Sequence, residues 1–264
     1  MRVVLVTGAS SGLGLAIADR LHQDGARVVG MSRSGRGGSG WQAMAADVDD
    51  DDSMRSAVNA AVDMFGRLDA VVACAGWGLA GSVEDTPLDL AKAQIETNFW
   101  GTVRTVQCAL PALRAARGRI VIVGSVAGVI GIPFQAYYSA SKFALEGWAE
   151  ALAWEVEPLG VHVTLVQPGN FRTGFTSARQ TVAAVEASPY VETSRRAIEQ
   201  MERDEASGSH PEVAAALVAR LLVDRRPPRR TTVGPLGDRA GTWAKRLLPF
   251  RAFQSLARGS LTGS

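Results

Sequence analysis

The chain of 264 residues is short of the side chains that staple or metallate a fold. Its two cysteines, Cys74 and Cys108, have no C-x-x-C spacing, which excludes a disulfide scaffold and a thiolate zinc site. A reduced, cytoplasmic setting is expected. Three scattered histidines, His22, His162 and His210, argue against a metal cluster. Only Lys92, Lys142 and Lys245 are lysines among 28 basic residues, so each lysine merits inspection. Neither sign of charge dominates: the net charge of +2 gives no global field for nucleic acid. The longest uncharged stretch, 120–141, contains Pro133, Gln135, serines and glycines, and reads as a buried strand and its loop rather than a membrane span. The N-terminus enters a strand pattern at once, so no signal peptide is read.

What remains is ordinary globular material, 47% apolar and 20% charged, enough for one large core. Apolar runs at 3–6, 27–31, 43–46, 70–74, 120–123 and 161–166 alternate with helical stretches at 12–23, 53–65, 87–116 and 138–156. The runs are β-branched and apolar on both faces, as parallel strands covered by helices are. The expectation is an α/β fold, a doubly wound parallel sheet of Rossmann type, in a single domain over 1–264.

Residues 171–209 are polar, with one helical patch near 197–201, and read as a substrate lid. A helix at 211–222 is stopped by Pro227-Pro228, and 231–233 suits a last edge strand. The C-terminal extension 224–264 carries +7, leaving −5 for the remainder. Within it, 243–257 is apolar on one side and basic on the other. Contact with a membrane is one reading. Because Pro249 interrupts the helix, the favoured expectation is a solvated basic face with the apolar side over the substrate cleft or a partner subunit.

Thr7-Gly8-Ala9-Ser10-Ser11-Gly12-Leu13-Gly14 follows the first strand and opens the first helix. Glycines there allow a tight turn and the close approach of a phosphate, and the helix N-terminus offers free N–H groups. The candidates for binding a dinucleotide are therefore Gly8, Ser10, Ser11, Gly12, Leu13 and Gly14. An acid for a ribose hydroxyl would stand about twenty residues on; Ser32-Arg33 stands there instead, with Arg36 near. A guanidinium suits a 2′-phosphate, which favours NADP over NAD. The same letters also spell G-x-S-x-G, the nucleophile elbow of a hydrolase, with His162 or His210 as its partner.

Tyr138 and Lys142 are four residues apart and share one face of a helix. Chance places Y-x-x-x-K in such a chain about 3% of the time. Ser125 lies just beyond the fifth strand, at the carboxyl edge where ligands bind in such sheets. A phenol is a poor acid–base group at neutral pH, and a neighbouring ammonium favours its anion.

The motifs together resemble the short-chain dehydrogenase/reductase family in its non-extended branch, over roughly 2–175. Thr7–Gly14 matches its TGxxxGxG. Asp47-Val48 looks like its adenine-contacting pair, Asn98 like its catalytic asparagine, and Ser125, Tyr138 and Lys142 like its Ser–Tyr–Lys set. Pro168-Gly169 and Thr173 match its PG…T segment. Where the family usually has Asn-Asn-Ala-Gly, this chain has Ala73-Cys74-Ala75-Gly76, keeping the close backbone approach of Ala75 and Gly76 without the amides. The resemblance implies that Tyr138 exchanges a proton with the substrate oxygen and Ser125 orients that oxygen. It implies that Lys142 binds the nicotinamide ribose and lowers the Tyr138 pKa, while Asn98 holds a relay water. The stretch 133–169 is similar to 17β-hydroxysteroid and retinol dehydrogenases, which implies a bulky apolar ketone, aldehyde or alcohol. Trp77, Phe134, Phe171 and Phe175 are the candidate pocket walls. The family also implies a homodimer or homotetramer through 91–116 and 138–156, with Trp148 and Trp154 as candidate contacts. The alternative is an NADP-binding regulatory or scaffold protein without turnover.

Overall fold

The computed structural model describes residues 1–182, 184 and 187–262. In chain order the strands are β1 (Val3–Thr7), β2 (Arg27–Ser32), β3 (Gln42–Ala45), β4 (Ala70–Ala73), β5 (Leu79–Ala80), β6 (Arg119–Val123), β7 (His162–Pro168), β8 (Gln180–Thr181) and β9 (Arg230–Val233). Seven of them form a parallel sheet in the order β3-β2-β1-β4-β6-β7-β9. The short β5 and β8 pair with each other.

The helices are α1 (Gly12–Gln23), α2 (Asp51–Phe65), α3 (Leu88–Ile95), α4 (Gly101–Ala116), α5 (Ala136–Val156), α6 (Phe175–Ala178), α7 (Val191–Ala206), α8 (Pro211–Val223), α9 (Leu236–Leu247) and α10 (Phe250–Thr262). Alternation along each strand feeds two cores. Val3, Leu5, Ile120 and Ile122 pack under α2, α4 and α5. Val4, Val6, Val121 and Val166 pack under α1 and α8. Burial on both faces is why these strands lack a polar side, and the expected doubly wound sheet is present.

Local chemistry sets the ends of the helices. α2 begins at Asp51, two residues before the expected 53, because the Asp50 carboxylate accepts the Ser53 N–H at 2.6 Å and Asp51 and Asp52 face the positive end of the helix dipole. It stops at Gly66, whose φ of 71° is left-handed. The helical stretch at 87–116 is broken by a π-helical turn at Glu96–Trp100. A π turn inserts an extra residue and re-aims the side chains around it.

The 171–209 segment is more regular, where described, than its sequence suggests. α7 extends over 16 residues, well beyond the patch at 197–201. Only Ser194 and Ala197 of α7 are fully buried, so its apolar periodicity is faint. Arg195 supports the turns by pairing with Glu192 at 2.7 Å and Glu199 at 2.6 Å. Pro249 does separate two helices. Thr242 and Phe253 turn inward and are buried, but Leu236, Trp243, Leu247, Leu248 and Phe250 stay exposed. The expected packing therefore holds for one side only of the α9–α10 pair. Trp148 packs against the core, edge-on to Phe99, whereas Trp154 is exposed beneath the Arg229 guanidinium at 3.6 Å. No helix among the described residues is long and apolar enough to cross a membrane.

Candidate active site

The strand order reverses between β1 and β4, and the crevice at their carboxyl ends is where such sheets bind ligands. Two glycines make the crevice possible. Gly8 has φ +69°, and a Cβ on it would lie 2.9 Å from the Ala75 Cα. A Cβ on Gly14 would lie 2.2 Å from the Gly8 carbonyl oxygen, so α1 can approach the loop only without a side chain there. The Thr7 hydroxyl accepts the N–H groups of Cys74 (3.1 Å) and Ala75 (3.2 Å), tying the two strand ends together where amide side chains are missing. Desolvation pushes the Cys74 thiol up to about 11, so it stays protonated at neutral pH. Ser11 precedes α1 without capping it through its own side chain. N–H groups of the first turn are thus left to a ligand.

A cavity of about 950 Å³ runs outward from this point. Gly8, Ser10, Ser11, Gly12, Leu13 and Gly14 line one end, together with Ser32, Arg33, Asp47 and Val48. Arg33 is exposed and has no carboxylate within ion-pair distance among the described residues. Ala75, Gly76, Ser125, Tyr138, Lys142, Pro168, Gly169 and Thr173 line the middle, and Trp77, Phe171 and Phe175 the outer part. An open glycine cradle continuous with an unpaired arginine fits a dinucleotide carrying an extra phosphate.

The central trio is brought together by β6 and α5. Ser125 follows β6, and its hydroxyl accepts the Ala127 N–H at 3.0 Å and lies close enough to the Tyr138 phenol to acidify it. Lys142, one turn along α5 from Tyr138, donates from Nζ to the Val123 carbonyl at 3.1 Å and sits 5.8 Å from the phenol ring centre. Phe175 of α6 leans on the same ring, with 5.8 Å between ring centres. Burial pushes the Tyr138 phenol up to about 12, against the acidifying effect of Ser125; Glu205 adds to the rise and Arg179 opposes it. Burial also lowers Lys142 to about 8. Burial governs the phenol, and the neighbouring ammonium does not override it.

Two expected site residues do not face the cavity. Asn98 is wholly buried: its Oδ1 accepts the Trp77 N–H at 3.0 Å, and its Nδ2 donates to the Trp77 carbonyl at 3.0 Å and to Ser141 Oγ at 3.2 Å. Its side chain therefore holds the 76–78 loop. Phe134 adopts a left-handed φ of 58° and offers its carbonyl to the Gly81 N–H at 2.8 Å; its side chain is not part of the cavity wall. Ser10 of the hydrolase-like motif lines the cavity, but neither His162 nor His210 does. His162 opens β7, and His210 caps α8.

The sequence reading missed the outer wall. Met201, Asp204 and Glu205 of α7, Gly241 and Ala244 of α9, and Phe253 of α10 all face the cavity. Glu205 pairs with Arg179, the two side chains being 13% and 1% exposed, and also accepts the Thr176 hydroxyl. Arg179 Nε and Nη1 are buried without partners among the described residues. No short motif announces a pair so far apart in the chain.

Comparison with known proteins agrees with this geometry. A family model described as short chain dehydrogenase matches residues 2–184. The chain is 38% identical over 260 residues to the 3-ketodihydrosphingosine reductase of Bacteroides thetaiotaomicron, covering 97% of both. It is 38% identical over 191 residues to the 17-beta-hydroxysteroid dehydrogenase type 1 of Homo sapiens, covering 66% of this chain and 58% of that one. The crystal structure of a short-chain dehydrogenase from Streptomyces avermitilis superposes with a TM-score of 0.82 at 29% identity, covering 97% of this chain and 96% of that one. A parallel sheet with its crevice at the switch point, a glycine cradle and a Ser–Tyr–Lys trio on one cavity accord with that likeness, and the chain is an oxidoreductase belonging to the short-chain dehydrogenase family.

Proposed function

We propose that the protein is an NADP(H)-dependent enzyme that interconverts a bulky apolar ketone or aldehyde and its alcohol. The observation that carries this reading is the continuity of one cavity from the glycine cradle and Arg33, past Ser125, Tyr138 and Lys142, to Trp77, Phe171 and Phe175. When bound, the dinucleotide supplies the hydride or accepts it. The residues do the rest. Gly8, Gly12 and Gly14 let the backbone approach the pyrophosphate, and Arg33 takes the 2′-phosphate. Ser125 donates to the substrate oxygen, and Tyr138 gives that oxygen a proton in reduction or removes one in oxidation. Lys142, anchored on Val123, binds the ribose and adds positive charge beside the phenol. Asn98 acts by positioning the Trp77 loop. The two relatives act, by their names, on 3-ketodihydrosphingosine and on a 17β-hydroxysteroid, in keeping with a single carbonyl or carbinol on an apolar frame.

Exposed Trp100 and Phe143, on the π turn and α5, support an oligomer through those helices. The scarcity of cysteine supports a cytoplasmic enzyme. The test is a side-by-side fluorescence titration with NADPH and NADH, repeated on Arg33→Ala. NADPH should bind more tightly, and the variant should lose about tenfold for NADPH and little for NADH. Equal binding of both would reject the NADP assignment, and binding of neither would move the scaffold and hydrolase readings forward.

A further inference from the structure

Three features of the molecule are not absorbed by dehydrogenase chemistry, and all three lie on or beside α9 and α10. The first is an apolar stripe. Leu236, Trp243 and Leu247 recur at i, i+7 and i+11 on one side of α9, with exposures of 77%, 60% and 75%. Leu248 and Phe250 extend the stripe across Pro249, Phe250 being 62% exposed. Single exposed apolar residues are commonplace, but five large ones within fifteen positions make a patch.

The second feature is charge. From Arg239 to the end of the sequence there is no Asp or Glu, against five basic residues. The nearest acid on α9, Asp238, is turned inward, where it accepts the Asn170 N–H at 2.7 Å. Lys245 lies over the Phe250 ring at 4.6 Å, and Arg246 over Trp243 at 5.9 Å, so the cations edge the apolar stripe. The third feature is a niche of about 180 Å³ beside Trp243, into which Arg230, Arg239 and Arg246 converge. Arg230 is already paired with Glu146 and Glu150. Arg239 and Arg246 have no carboxylate within ion-pair distance among the described residues.

We propose that the α9–α10 face docks on an anionic lipid bilayer. Leu236, Trp243, Leu247, Leu248 and Phe250 enter the interfacial zone, while Arg239 and Arg246 meet lipid phosphates. The observations fit this occupant through complementarity of two kinds on one face. Large apolar side chains with tryptophan suit the acyl boundary, and unpaired guanidinium groups suit phosphodiesters. A second copy of the same face would bring like charges together, which disfavours self-association there. The inward sides of the same helices carry Gly241, Ala244 and Phe253 of the cavity wall. Docking therefore sets the cavity beside the lipid. That last consequence rests on the apolar-substrate reading; the docking itself does not.

The experiment is co-sedimentation of the full chain with phosphatidylcholine vesicles, with and without phosphatidylglycerol, over a salt series. Binding is expected to the anionic vesicles and to weaken with salt. The double variant Arg239→Ala/Arg246→Ala should lose roughly tenfold or more and most of the salt dependence. Leu247→Ser/Phe250→Ser should lose binding at low salt as well. Both variants should melt with the parent and bind dinucleotide unchanged. Failure to bind anionic vesicles, or binding that both variants retain, overturns the proposal. It falls equally if either variant instead dissociates an oligomer in vesicle-free solution, since the face then belongs to a second copy. Failure of the dehydrogenase reading would show separately, as a loss of dinucleotide binding in the parent protein.

Discussion

Arg179 and Glu205 join α7 to the chain just beyond α6 through an ion pair shielded from solvent, on the flank of the Tyr138 phenol. A buried pair of this kind adds little net stability as a pair, yet is expensive to break from one side. Glu205→Gln strands a guanidinium that already has two unpartnered nitrogens. It should cost about 3 kcal/mol in thermal or denaturant unfolding, and Arg179→Met/Glu205→Leu should recover most of that loss. Hydrogen exchange should quicken first over 175–181 and α7. A single variant as stable as the parent would show that the pair is not buried in solution.

The same pair predicts a pH effect. Glu205 raises the phenol pKa and Arg179 lowers it. Removing the carboxylate charge while keeping the guanidinium therefore moves the phenol downward. In the proposed reaction alcohol oxidation uses the phenolate, so its rate should climb about tenfold per pH unit below the phenol pKa and do so at lower pH in Glu205→Gln. Ketone reduction uses the protonated phenol and should stay level through neutral pH. An unshifted oxidation profile in the variant would separate Glu205 from the chemistry.

Tyr138→Phe removes the proton that the proposed reaction moves and leaves the ring packed against Phe175. Turnover should fall roughly 10²–10⁴-fold with dinucleotide affinity preserved. Retained turnover would make Tyr138 a packing residue and overturn the assignment.

Lys142 should stabilise function at the expense of the fold. Burial holds its folded pKa near 8, below the ordinary 10.5. Below pH 8 the ammonium is charged in both folded and unfolded chains, and folding bears the whole desolvation cost. Between pH 8 and 10.5 the folded chain has released the proton and the unfolded chain has not, so stability rises with pH. Above that window both forms are neutral and the cost is gone. Lys142→Met should therefore melt a few degrees higher at pH 7, lose this advantage by high pH, and be nearly inactive.

Gly14→Ala tests the cradle. The added methyl would press on the Gly8 carbonyl, forcing α1 away from the loop. Destabilisation of about 1–3 kcal/mol and a clear loss of dinucleotide affinity are expected. A calorimetric titration showing unchanged affinity would mean that α1 does not serve the ligand.

What could be read from the sequence follows from how local each signal is. Val3 to Val6 announces a covered parallel strand because neighbouring residues serve opposite cores. Tyr138 and Lys142 announce a shared face because α-helical spacing alone places them there. Asn98 was readable as a residue but not as an orientation, since a π turn decides where its side chain points. Phe134 was misread as a wall because nothing local signals that an aromatic residue will sit at φ 58°. α7 is held by ion pairs more than by an apolar stripe, and the Arg179–Glu205 contact spans 26 positions. Neither leaves a periodic trace.

The sheet order has a consequence for how the protein is made. β1 precedes every other strand of the sheet in the chain, and its second neighbour, the central β4, arrives only with Ala70–Ala73. The cradle for the dinucleotide is therefore complete in outline when Phe253, on the opposite wall of the same cavity, has yet to be synthesised. Chain order thus separates the two ends of the cavity: the glycine cradle is encoded in the first third of the sequence and the opposite wall near residue 253.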